Sequence, residues 1–185
     1  MLPLVLASAS PRRAQLLRDA GIPFEVAAAD VDESQHPGEE AEAYVRRVAA
    51  AKAARVAGSH PGRPVLGADT TVVLDGEVLG KPRDAAEAAS MLRRLSGRSH
   101  LVLTGVCLIA PAGGIQTAVA ATAVEFLPLD AAQIAAYVAT GEPMDKAGAY
   151  AIQGGAGRFV RRVDGELANV IGLPISVVAD MLRGI

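Results

Sequence analysis

Ser8-Ala-Ser-Pro-Arg-Arg13 follows, after Ala7, on the apolar run Leu4-Val-Leu6. Ser10 stands where an N-cap belongs and Pro11 where a first helical residue belongs, so a buried strand should hand over here to a helix. A helix start gathers unpaired N–H groups and the positive end of the helix dipole. With the serines and with Arg12 and Arg13 beside it, the segment reads as a phosphate site in preference to the alternative, a well-capped helix with two solvated arginines. Asp69 ends the apolar stretch Val65-Leu-Gly-Ala68. A carboxylate there is paired, holds a hard cation, or bonds local backbone together with Thr70-Thr71. Glu33 lies in the acidic loop Ala29-Asp-Val-Asp-Glu-Ser-Gln-His-Pro-Gly38 and by itself reads as a solvated loop charge. Lys52, Lys81 and Lys146 are the only lysines among 18 basic residues. In a chain whose surface cations have drifted to Arg, a retained lysine points to a need for a compact ammonium. Lys52 shares a helical stripe with Val45, Val48 and Val56, so it is either aimed inward or snorkelling. Lys81 sits between Gly80 and Pro82, whose ring favours an extended backbone before it. An anion-binding helix start, oxygen donors and out-of-place lysines together indicate phosphate ester or anhydride chemistry with Mg²⁺ or Mn²⁺.

These residues need elements to hold them. Leu4–Leu6 reads as a strand, followed by a helix to Ala20 that stops at Gly21. Pro23–Ala27 reads as a second strand, and a helix runs from about Glu39 to Ala57. Val65–Leu74 is strand-like, and Asp75-Gly76 is a hairpin signal leading to Glu77–Gly80. Asp84 caps an alanine-rich helix to about Leu95. His100–Ala110 and Ile115–Leu127 read as a long antiparallel pair around Pro111-Ala-Gly-Gly114. Asp130 caps a helix to Val138. After the Gly-rich segment 146–157, Arg158–Val163 and Leu167–Ile171 flank a turn at Asp164-Gly165, and Ile175–Leu182 closes as a helix. Helices alternate with strands early and hairpins follow, which predicts an α/β fold with a mixed sheet and two lobes about a cleft.

Composition narrows the function. The 185 residues are 51% hydrophobic with a formal charge of −2, enough for a packed core and without the basic excess of a nucleic-acid binder. Aromatic residues make up 3%, which leaves few platforms for stacking bases. No apolar run is long enough to span a bilayer and the start lacks a secretory pattern, so the expected compartment is the cytoplasm and no membrane partner is expected. Cys107, the one cysteine, lies in Val106-Cys-Leu-Ile109 and reads as core. His36, His60 and His100 are scattered and offer no zinc spacing. No Walker-type loop is present.

Five blocks, in order, resemble one family: Ser8-Ala-Ser-Pro-Arg-Arg13, Leu66-Gly-Ala-Asp-Thr70, Leu79-Gly-Lys-Pro82, Leu95-Ser-Gly97 and Asp145-Lys-Ala-Gly-Ala-Tyr-Ala-Ile-Gln-Gly154. The chain resembles the Maf nucleoside triphosphate pyrophosphatases over essentially its whole length, 1–185, as one domain. The resemblance implies a fold similar to the inosine triphosphate pyrophosphatases and hydrolysis of a nucleotide to its monophosphate and pyrophosphate. Carried over by position, it implies Ser8, Arg13, Glu33, Lys52, Asp69 and Lys81 as the catalytic and phosphate-binding set. The resemblance thereby overturns the reading of Glu33 as a bare loop charge; Asp69, with Glu33, is then expected to hold a divalent cation and to position or deprotonate the attacking water, with the roles of base and metal ligand open between the two carboxylates. Arg12, Thr70 and Gln153 match the positions that set base choice in the subgroup acting on dTTP and UTP. A Gln amide offers a donor and an acceptor, which suits the N3–H and carbonyl of such a pyrimidine. The resemblance leaves open a 7-methyl-GTP substrate, a nucleotide-binding role without catalysis linked to septum formation, and a homodimer.

Overall fold

The computed structural model describes residues 3–185. In chain order the elements are β1 (Leu4–Leu6), α1 (Pro11–Asp19), β2 (Phe24–Val26), α2 (Ala41–Ala57), β3 (Val65–Leu74), β4 (Glu77–Leu79), α3 (Ala85–Leu95), β5 (Ser99–Ile109), β6 (Ile115–Phe126), α4 (Ala131–Ala139), β7 (Val160–Asp164), α5 (Leu167–Ile171) and α6 (Ile175–Arg183). Short 3-10 turns at Glu142–Asp145, Ala147–Ala149 and Gly155–Phe159 take up the Gly-rich segment. The strands form a seven-stranded sheet in the order β2-β1-β3-β5-β6-β7, with β4 paired to β3 off that path. β1 pairs parallel with both β2 and β3, as helical crossovers require, whereas β4 returns antiparallel through the Asp75-Gly76 turn. Both turn residues have positive φ, 53° and 80°, the geometry that a two-residue hairpin favours. The mixed α/β sheet predicted from the sequence is therefore the one observed.

The chain divides into two compact units. One comprises the residues up to Thr70, Thr104–Ala120 and Gly172–Ile185; the other comprises Thr71–Leu103 and Ala121–Ile171. In the first, the period of two along each strand sorts side chains onto two layers. Leu4 and Leu6, Leu66 and Ala68, and Val106 and Leu108 pack with Ala14 and Leu17 of α1 and with Val178 and Met181 of α6. Their odd-numbered neighbours Val5, Ala7, Val65 and Cys107 pack with Ala49, Ala53 and Val56 of α2. Cys107 is thus a core residue, as its neighbours in the sequence imply.

α2 lies on the sheet backbone itself. A Cβ on Gly67 would stand 2.2 Å from the Ala49 carbonyl oxygen, and one on Gly105 would stand 2.3 Å from that of Val45. Neither position tolerates a side chain, because the obstructing atoms are backbone. The buried stripe of α2 includes Val45, Val48, Ala49, Lys52, Ala53 and Val56. Lys52 is therefore turned inward, and the snorkelling alternative does not hold.

The second unit has its own core. α3 contributes Ala88, Met91, Leu92 and Leu95 at helical spacing, packed with Ile134 and Tyr137 of α4 and with Phe126, Tyr150 and Phe159. His100 is buried among them, its Nε2 2.8 Å from the Tyr150 hydroxyl and its ring edge-on to Phe126. Leu167–Ile171, expected as the second arm of a hairpin, is helix α5 instead. The Asn169 amide, fully buried, donates to the Val102 carbonyl and to Thr122 Oγ1, and Asn169 N–H donates to the Glu166 carbonyl. These bonds hold a helical turn where the apolar residues alone read as a strand. α2 begins at Ala41 rather than Glu39, because the Glu39 carboxylate is bound by the Arg47 guanidinium and by the His36 N–H. Among the described residues, no helix is long and apolar enough to cross a membrane.

Candidate active site

Adjacent residues on β3 face opposite layers, and this builds the site. Asp69 shares the parity of Gly67 and faces α2; Thr70 shares that of Leu66 and Ala68 and faces α1. On the α2 side, Lys52 Nζ lies 2.9 Å from Asp69 Oδ1 and 2.9 Å from Glu33 Oε1. The Lys52 and Asp69 side chains are 7% and 8% exposed, whereas Glu33 keeps 44% of its surface. Burial raises the Asp69 carboxyl above its ordinary range, against the pull of Lys52 and Arg13.

The Glu33 loop is pinned from α2. The Tyr44 hydroxyl donates to the Glu33 carbonyl at 2.9 Å, and Arg47 donates to the Ser34 carbonyl and, through two nitrogens, to Glu39. Arg47 holds the Glu39 carboxyl down at about 2. Burial, with Asp69 and Glu33 nearby, pushes the Tyr44 hydroxyl up to about 12. Tyr44 escaped notice in the sequence, although Tyr44, Val48 and Lys52 recur every four residues and so share a face.

On the α1 side, Ser10 caps the helix as its position foretells, accepting from the Arg13 N–H at 3.4 Å. Arg13 does not stand free at the helix start. It is buried, and it donates from Nε to the Gly172 carbonyl (2.7 Å), from Nη1 to Ser8 Oγ (3.1 Å) and from Nη2 to Thr70 Oγ1 (3.1 Å). Thr70 Oγ1 also donates to the Gly172 carbonyl and lies 2.9 Å from Thr104 Oγ1. Gly172 sits at φ +137°, a conformation that side chains rarely adopt. Among the described residues, the hydrogen bonds of Arg13 go to neutral oxygens. Its countercharges, Asp69 and Glu33, act through space, and burial lowers its pKa. Ser8 Oγ accepts from Ser10 N–H and from Arg13, which leaves its proton as a donor. Arg12, beside them, is half-buried. Thr104 and Gly172 carried no sequence signal, since an ordinary strand residue and a loop carbonyl acquire these roles only through the fold.

Lys81 and Gln153 belong to the second unit, where both are exposed. The residue before Lys81, Gly80, accepts from the Gly148 N–H, and Gly148 packs so closely on Val72 that a Cβ would stand 2.8 Å away. Lys146 is paired with its neighbour Asp145. Among the described residues no cluster of three His, Cys, Asp or Glu gathers, so a cage built from protein alone is not present. The donor chemistry of Glu33 and Asp69 nevertheless fits a hard cation. Two carboxylates meeting at one cationic atom is the share that Mg²⁺ usually takes from protein, with water and substrate phosphates completing its shell.

The profile of the Maf-like protein family matches residues 3–185. The chain belongs to the Maf family. It is 58% identical over 184 residues to a dTTP/UTP pyrophosphatase of Anaeromyxobacter sp. (strain Fw109-5), covering 97% of this chain and 88% of that one. Identity to the dTTP/UTP pyrophosphatase of Myxococcus xanthus (strain DK1622) is 55%, covering 97% and 91%. To that of Symbiobacterium thermophilum it is 54%, covering 97% and 92%. Among solved structures, the Staphylococcus aureus Ham1 protein aligns over 99% of both chains with a TM-score of 0.54 and 16% identity, a likeness of fold alone.

Proposed function

We propose that this Maf protein hydrolyses dTTP and UTP to the monophosphate and pyrophosphate. The observation that carries the reading is the buried Asp69 carboxylate joined with Glu33 on the Lys52 ammonium, a few residues of backbone from the Arg13 cradle. Full-length relatives named dTTP/UTP pyrophosphatase support the choice of substrate.

In this reading Asp69 orients the attacking water and takes its proton, the water attacks the α-phosphorus, and pyrophosphate leaves. A raised carboxyl pKa favours that role, since a base works best with a pKa nearer the operating pH. Arg13 and Lys52 offset the negative charge that develops on the phosphates, and Ser8 donates to a phosphate oxygen. The Arg13 N–H is taken by the Ser10 cap and Pro11 has none, so the helix start contributes less than its sequence promises. A divalent cation held by Asp69 and Glu33 would add charge neutralisation and Lewis acidity at the phosphates. Lys81, as a further cation for the phosphates, and Arg12, Thr70 and Gln153, as readers of the base, rest on the motif resemblance.

The test is pyrophosphate release from a nucleotide panel containing dTTP, UTP, CTP, GTP and 7-methyl-GTP. Release confined largely to dTTP and UTP is the expected result; preference for 7-methyl-GTP would overturn the substrate assignment. Gln153→Ala should raise KM for UTP and dTTP while leaving the melting temperature unchanged.

A further inference from the structure

The loop that carries Gln153 is held from both sides by two residues that the motifs do not include. Before it, the Ala151 N–H donates to the Tyr137 hydroxyl at 3.0 Å. After it, the Gly155 N–H donates to Glu142 Oε2 at 3.0 Å. Burial, and then the neighbouring Glu142 carboxylate, raise the Tyr137 hydroxyl above its ordinary range, which puts the two side chains together at the turn. Both glycines after Gln153 are matched to the pair. A Cβ on Gly154 would stand 2.0 Å from Glu142 Oε1, and one on Gly155 would stand 3.3 Å from the Tyr137 ring. Gly154 has φ −106°, so space for the carboxylate, not backbone freedom, is what its lack of a side chain provides.

The pair is rigid where it needs to be. Tyr137 is 1% exposed, with its ring edge-on to Phe159 at 5.3 Å. Glu142 opens the 3-10 turn after α4, its N–H donating to Thr140 Oγ1. Gln153 itself is exposed at the tip. An exposed amide selects among bases only if its backbone is fixed, because selectivity depends on the direction of its donor and acceptor.

We propose that Glu142, together with Tyr137, is a positioning pair for base selection: it fixes the Ala151–Gly155 turn so that the Gln153 amide meets the pyrimidine in one orientation. This rests on the proposed dTTP/UTP activity and on the role of Gln153 within it. Glu142 touches no substrate; it acts through the turn.

The experiment is steady-state kinetics with UTP at saturating Mg²⁺ for Glu142→Ala, Glu142→Gln and Gly154→Ala, each alone and combined with Gln153→Ala. Glu142→Ala and Gly154→Ala should each raise KM about tenfold, with kcat within about twofold, as expected for lost ground-state and transition-state binding alike. The isosteric Glu142→Gln, which keeps one acceptor for the Gly155 N–H, should cost about threefold and is the variant to rely on if the others fold poorly. In the Gln153→Ala background all three should add less than about twofold, because the residue they position is gone. Losses that fall on kcat, or that persist undiminished without Gln153, would overturn the proposal. A wild-type enzyme with no UTP or dTTP turnover would instead refute the underlying activity. If Gln153→Ala alone leaves KM unchanged, the role of Gln153 and that of the pair fail together.

Discussion

Replacing Lys52 by Met removes the ammonium and keeps most of the volume, leaving Asp69 buried beside Glu33 with Arg13 as its remaining countercharge. At 2.9 Å the Lys52–Asp69 attraction is worth about 6 kcal/mol at an effective dielectric of about 20, before desolvation is counted. Breaking a buried pair from one side typically costs about 3–5 kcal/mol, and the surviving Arg13 places this case at the lower end. That cost falls on the ionised form, so the Asp69 titration moves to higher pH. The direction is fixed: burial already raises Asp69, Lys52 opposes that, and its loss lets burial and Glu33 act with less resistance. The acid limb of kcat/KM should therefore move to higher pH, beyond any drop in its plateau. Above that limb the variant should melt about 6–12 °C lower, and the deficit should shrink in acid, where Asp69 takes up a proton and no longer needs a partner. The assay is a pH profile of pyrophosphate release with thermal melts at matching pH. An acid limb that stays in place would refute the view that Lys52 keeps Asp69 ionised.

Other consequences follow from the same geometry. Gly67→Ala should destabilise the protein by about 3 kcal/mol or more in denaturant unfolding, because its Cβ meets the α2 backbone at 2.2 Å; an unchanged midpoint would show that α2 does not rest on the sheet there. His100 is held down to about 4 by burial, whereas an unfolded imidazole titrates near 6.5. Its contribution is complete above about pH 6.5 and disappears as the pH falls towards 4, an acid sensitivity of about 3 kcal/mol. His100→Phe should flatten the decline of melting temperature across that window, and an unaltered slope would assign it to other groups.

Much of this architecture is legible in the sequence because it is set by local rules. Ser10-Pro11 marks the start of α1, Asp75-Gly76 marks its hairpin, and the stripe through Val45, Val48, Lys52 and Val56 turns Lys52 inward. The period of two in Leu66-Gly-Ala-Asp-Thr70 already contains the division of Asp69 and Thr70 between two layers. What stays hidden depends on partners distant in the chain. Glu33 looks like one more charge in an acidic loop until Lys52 meets it. Arg13 looks like a free cation until the Gly172 carbonyl and Ser8 and Thr70 hydroxyls engage it. Leu167–Ile171 reads as a strand until the buried Asn169 amide is seen bonding Val102 and Thr122. Glu142 has nothing in its immediate neighbourhood to connect it with a turn 13 residues on.

The measurement that bears most directly on the central claim is pyrophosphate release from dTTP and UTP, with Mg²⁺ or Mn²⁺ and with EDTA, by the wild-type protein and its Asp69→Asn variant. The account predicts metal-dependent release that falls at least about a hundredfold in a variant that melts as a folded protein. Near-normal turnover by folded Asp69→Asn, or release indifferent to EDTA, would contradict it.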